Sequence, residues 1–133
     1  MIFIDTNVIL RFVLNDHPVY SPKARDIFSD VEADKIKVFI SLVALTEVVF
    51  SLERFYKRPK KEICEKLLFI LALEGVKTEK LKILKEAFGV YLTKNIDFPD
   101  AYQAILMKSK KVKKIYSFDH HFNRISWVKR IEE

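Results

Sequence analysis

Four acidic residues stand out by where they fall along the chain. Asp5 ends the apolar start MIFID, Glu47 sits inside VALTEVVF, Asp100 closes DFPD, and Asp119 follows KIYSF. Asp97 lies three residues before Asp100, which puts the two on one face of a helix start. Taken singly, some of these have ordinary uses. Asp5 suits an N-cap for a helix opening at Thr6, Asp97 suits the cap of the next acidic helix start, and Asp100 in a first turn is favoured by the helix dipole. Glu47 has no such use, since a charge among apolar helix residues is expensive to bury uncompensated. Brought together, two unit charges ~4 Å apart repel by ~4 kcal/mol at an effective dielectric of 20, so three or four carboxylates in one pocket protonate or recruit a cation. Oxygen ligands without Cys or His select a hard ion, Mg²⁺ first and Mn²⁺ next, and the chemistry such sites perform is phosphodiester hydrolysis.

The elements that must position these acids follow from apolar periodicity and punctuation. Residues 2–5 read as a buried strand and 6–14 as a helix. Ser21 and Pro22, as N-cap and first helical residue, open a helix to 33, and KVFIS at 37–41 is a second strand. Helices follow at 42–56 and 60–73, with a break at Glu74-Gly75 and a brief strand at 76–77. Thr78 caps a helix over 79–93, and Asp97-Phe98-Pro99 opens another that ends near Lys110. KKIYSF at 113–118 and ISWV at 125–128 read as the last two strands. This alternation predicts an α/β fold, one domain over residues 1–133, with a central parallel sheet of order 3-2-1-4-5 and helices on both faces. In that order strands one and four are neighbours at the point where the winding reverses, so Asp5 and Asp119 end side by side at the carboxyl edge.

Composition bounds the rest. At 133 residues, half hydrophobic and 32% charged, the chain has the balance of a soluble globular domain. No apolar run approaches the ~18 residues of a membrane span, and the start is too short for a signal sequence, so the expected location is the cytoplasm. Cys64, the single cysteine, falls in a helical pattern without a second thiol and reads as a core residue. The net charge is +6, and residues 108–133 hold eight Lys or Arg against three Asp or Glu. An anionic partner near that end fits, as does a merely solvated helix end.

Taken in order, IDTNVILRFV, LTEVVFSLERFY, DFPDAYQAIL and YSFDHHF resemble the four motifs of the PIN-domain ribonucleases, above all the VapC-type toxins of toxin–antitoxin pairs. The resemblance spans nearly the whole chain and is specific through the order and spacing of all four segments. It implies a PIN fold, metal-dependent endonucleolytic cleavage of RNA leaving a 5′-phosphate, and Asp5, Glu47, Asp100 and Asp119 as the acidic metal-binding cluster. Thr6 or Asn7 and Ser117 match positions that steady the acids, in keeping with hydrogen bonds that orient metal ligands. Asp97 is either a supporting ligand or a cap, with the cap favoured. Arg11 matches a position often basic in the toxins, or is a surface arginine. His120 and His121 depart from the commonest pattern; they read as loop residues or substrate contacts and are poor ligands for a hard ion.

Three further expectations concern partners. Lys110, Lys111, Lys113 and Lys114, in the run KSKKVKK, lead into the strand that delivers Asp119 and are candidates for RNA phosphate contacts, with Arg124 beyond them. Helices 42–56 and 60–73 are apolar over more than one stripe (VVFSL, LLFILAL), which predicts a homodimer and, in a toxin, a groove for a cognate antitoxin. The competing functions are a silent PIN-like module that binds RNA or protein, a stand-alone RNA-processing nuclease, and an aspartate-based phosphotransferase. The last usually needs a second acid two residues after the first, where this chain has Asn7.

Overall fold

In the computed structural model, which describes residues 1–132, the chain alternates short strands with helices and divides into two compact units, Met1–Leu81 and the residues from Lys82 onward. The first unit runs β1 (Ile2–Phe3), α1 (Thr6–Leu14), α2 (Tyr20–Glu32), β2 (Val38–Phe39), α3 (Leu42–Arg54), α4 (Lys60–Leu71) and β3 (Val76–Lys77). Its strands form a parallel sheet with β2 in the middle, Val38 registering with Ile2 on one side and Val76 on the other. Val38, Ile40, Leu45, Val48, Leu52 and Leu67 are buried in its core. The second unit holds α5 (Leu81–Thr93), α6 (Phe98–Lys110), β4 (Lys114–Tyr116), a 3-10 turn (His120–Arg124) and β5 (Lys129–Ile131). Phe88 and Tyr91 on α5 pack their rings on Phe98 of α6, the first pair at 4.6 Å, and β4 pairs in parallel with β5.

The strands therefore lie in a three-stranded sheet and a two-stranded sheet rather than in one ladder of five. Orders 3-2-1 and 4-5 are each present within their own sheet. Ile2 and Phe3 are exposed, Phe3 at 71%, and only Ile4 of the opening triplet is buried, because β1 is the outer strand of its sheet. ISWV is not a strand. Ile125 is buried and the Trp127 indole donates to the Ala104 carbonyl at 2.8 Å, which ties the segment to α6 and delays strand pairing to Lys129.

Two helix caps differ from expectation for identifiable reasons. Ser21 is buried at 1% exposure, donating to the Arg11 carbonyl (2.7 Å) and accepting from the His17 amide, so it pins α2 to α1. The capping acceptor is instead the His17 ring, whose Nδ1 takes the amides of Val19 and Tyr20 at 3.1 and 2.9 Å. Helix α5 begins at Leu81, two residues later than Thr78 predicts, and the Glu79 carboxylate accepts from the Leu42 amide at 2.7 Å, joining Ser41 in capping α3. Gly75 is required by close approach, since a Cβ there would stand 2.9 Å from the Val31 side chain. Burial pushes the Cys64 thiol up to about 11, as suits a core residue.

Candidate active site

Asp5 reaches its place because β1 ends at Phe3 and α1 begins at Thr6, which leaves it at the N-cap with extended backbone (φ −82°, ψ 158°). Its main-chain carbonyl accepts the first helical amides, but its carboxylate makes no capping hydrogen bond and is exposed. The ordinary use of an aspartate at this position is therefore not taken up. Glu47 lies in the second turn of α3, whose start Ser41 and Glu79 fix. Its side chain is exposed rather than buried among the neighbouring apolar residues, because Leu45, Val48 and Val49 turn inward and leave it on the outer face. Thr6 Oγ1 donates to Glu47 Oε2 at 2.7 Å, fixing that carboxylate against the first turn of α1, next to Asp5. Asn7 is exposed on the same turn.

In the second unit the acids meet each other. Asp97 occupies the N-cap of α6 with Pro99 in the first turn, yet makes no side-chain capping bond, so the expected cap is one of position only. Asp100, one turn in and half-buried, hydrogen-bonds Asp119. Its carboxyl is held above the ordinary aspartate value of 3.8, first by burial, then by the charges of Asp119 and Asp97 and by the hydrogen bond itself, with His121 pulling weakly the other way. Asp119 caps the 3-10 turn, accepting from the His121 amide at 2.9 Å, and the His121 ring lies 3.0 Å from the same oxygen. Ser117 Oγ accepts from the Asp119 amide at 3.0 Å.

Sequence reasoning counts Arg130 only as charge. Buried along most of its length, it donates to the Ser117 carbonyl (3.0 Å) and to Asn123 (3.3 Å), and so braces both ends of the loop that carries Asp119. Its register opposite Ile115 on β4 makes this possible, a pairing hidden while β5 is placed at ISWV. His121, a loop residue by its sequence, contacts Asp119.

Within neither unit do three or more His, Cys, Asp or Glu side chains among the described residues gather as a ready-made ion cage. The donor set nonetheless suits a hard cation. Two contacting carboxylates, one with a raised affinity for protons, bind a second positive charge more readily than isolated ones do.

These segments match a known pattern over almost the entire chain: the model of the PIN domain aligns with residues 2–128. The chain belongs to the PIN domain family. It is also 24% identical, over 127 residues, to the VapC ribonuclease of Aquifex aeolicus (strain VF5), an alignment covering 96% of this chain and 93% of that protein. With the PIN family fixed, the candidate substrate-contacting residues divide by geometry. Lys110, Lys111, Lys113 and Lys114 are exposed at the end of α6 and the start of β4. Arg11 is engaged within the fold, paired with Asp16 at 3.0 Å and donating to the Tyr56 hydroxyl at 2.9 Å. The Arg124 guanidinium is likewise occupied, donating to the carbonyls of Lys94 and Asn95 after α5. Among the described residues no helix is long and apolar enough to cross a membrane.

Proposed function

We propose that this PIN domain is a Mg²⁺- or Mn²⁺-dependent endoribonuclease acting as the toxin of a toxin–antitoxin pair, with Asp5, Glu47, Asp100 and Asp119 as the metal-binding acids. The observation that carries the reading is the Asp100–Asp119 contact, two carboxylates held together against their own repulsion. The family match from residue 2 to residue 128 and the similarity to a VapC ribonuclease supply the substrate class. We read the two units as parts of one domain, which the family match across both of them supports.

When bound, a divalent ion supplies neutralisation of the charge that develops on the phosphate. The chain's own residues do the positioning. Thr6 fixes the Glu47 carboxylate, Ser117 and Arg130 hold the Asp119 loop, and Asp97, standing at the α6 cap, adds negative charge beside Asp100. The exposed lysines 110, 111, 113 and 114 attract the RNA backbone without choosing its sequence. Val43 and Phe50 on α3 and Phe69 on α4 are exposed apolar side chains, which supports a homodimer and a docking face for an antitoxin. Such a pair acts on RNA in the cytoplasm.

The test is cleavage of single-stranded RNA with Mg²⁺ or Mn²⁺. Cleavage that stops on chelation and in Asp100→Asn is the expected result. RNA that is bound and left intact under every metal condition would show a silent binding module instead.

A further inference from the structure

Helix α5 carries a glycine in its middle that the fold does not need. Gly89 sits on the exposed face of the helix, its backbone is not left-handed, and a Cβ built there meets nothing within 4 Å. Glycine is among the poorest residues for a helix interior, so the position gives up helix stability without any steric return. Gly89 helps line a groove of about 620 Å³ between α5 and α6, whose lining also includes Ile105 and Trp127. Its charged lining is Lys82, Lys94 and Lys108 against the single acid Glu86. Lys108 lies over the Trp127 ring at 4.8 Å, and the indole is fixed by its bond to the Ala104 carbonyl.

We propose that this groove is a nucleotide-binding subsite for single-stranded RNA, in which a base takes the place of Lys108 over the Trp127 ring, in the space that the bare Gly89 keeps open, and the flanking phosphates are held by Lys82, Lys94 and the displaced Lys108. The chemistry is complementary on each count. A base offers a flat face to an immobilised indole, and its phosphates suit a rim with a surplus of cations. The groove is also continuous in sequence with the exposed lysine run, since Lys108 belongs to both. An acidic peptide would satisfy the lysines but gains nothing from a slot opened beside an aromatic ring, so RNA is the favoured occupant. The proposal rests on the endoribonuclease reading for its ligand, and extends it to a binding site outside the acidic residues.

Trp127 is the only tryptophan in the chain, so its emission reports on the groove directly. The experiment titrates the 133-residue chain with a short fluorescein-labelled oligoadenylate RNA in EDTA, following anisotropy and, with unlabelled RNA, Trp127 emission. Expected results are quenching that tracks binding, and binding weakened about tenfold in Gly89→Leu, which fills that space while raising helix propensity. The melting temperature of Gly89→Leu should stay level or rise. If that variant melts lower, the double substitution Lys82→Gln/Lys94→Gln, at two exposed positions, takes its place with the same expected loss. Binding without quenching, affinity within twofold of wild type in the variant used, no RNA binding at all, or quenching by polyglutamate in place of RNA would each overturn the subsite. Cleavage by wild-type protein with Mg²⁺ is scored separately. Quenching without cleavage would remove the nuclease reading and leave the groove, whereas cleavage without quenching does the reverse.

Discussion

In residues 1–81 the acids do not meet one another in a hydrogen bond among the described residues: Thr6 donates to Glu47, and Asp5 stands at a helix start without capping it through its carboxylate. From residue 82 onward they are met by one another, with Asp100 against Asp119 and Asp97 close enough to raise Asp100 further. The first arrangement fixes geometry at little electrostatic cost. The second holds like charges together, which is unfavourable until a proton or a cation arrives. In the proposed function, the second kind of element would create cation affinity and the first would aim a ligand without adding repulsion.

The largest expected effect falls on both halves alike. Asp5→Asn and Asp100→Asn should each lower RNA cleavage by about 100-fold or more, since in the proposed site each would remove a charged ligand from the ion. Single-turnover cleavage at saturating Mg²⁺ measures this. Activity retained by Asp5→Asn would confine the site to the second half. A thermal-shift titration divides the halves further: Mg²⁺ should raise the melting temperature of wild type, by the linkage of binding to folding, and do so far less in Asp100→Asn.

The next effect tests the neutral partner. Thr6→Ala should cost about 10- to 100-fold in activity, the usual range for a group that orients a metal ligand, while Thr6→Ser should restore most of it because the hydroxyl is what Glu47 needs. If alanine and serine behave alike, the Thr6 hydrogen bond is only structural. A smaller effect belongs to the second half alone. Changing Lys110, Lys111, Lys113 and Lys114 to Gln should weaken binding of all RNA sequences and flatten the salt dependence, by about 0.7 in log–log slope for each phosphate that is no longer neutralised. An unchanged slope would assign the run to a solvated helix end.

Legibility from sequence also differs between the halves. The first is readable where local rules govern: α1 spans the expected residues 6–14, β3 the expected 76–77, and the αβ alternation is plain. The reading fails where a distant group replaces a local one. The His17 ring takes the cap expected of Ser21, and Glu79 caps α3 instead of its own helix, interactions that depend on tertiary placement and leave no local pattern. Glu47 has apolar neighbours that suggest burial, but helical periodicity lets one residue face outward amid buried ones. In the second half the acids are found through their motifs, whereas the β5 register is misplaced: ISWV has strand composition and KRI does not. Trp127 and Ile125 are apolar because they pack, not because they pair. Arg130 is missed for the same reason, since its bracing role follows from the register.

The smallest effect has opposite consequences for fold and function, and it concerns Asp100 in the second half. Asp100 has a folded-state value raised above 3.8, so the folded protein holds that proton more tightly than the unfolded chain. Its stabilising contribution is then fully present below about pH 3.8 and is lost as pH rises through the raised folded value. As pH rises through that value without metal, Asp100 loses its proton facing Asp119 and Asp97, at a cost that asparagine does not incur. Asp100→Asn should therefore melt a few degrees higher than wild type at pH 7 in EDTA, with the gap closing as pH falls through the raised folded value and gone below about 3.8. Melting curves of wild type and Asp100→Asn across this range, in EDTA, measure the gap. An Asp100→Asn protein that melts lower than wild type at pH 7 would mean that the carboxylate is held by favourable contacts after all, and that the Asp100–Asp119 pair is not the strained element on which the metal site depends.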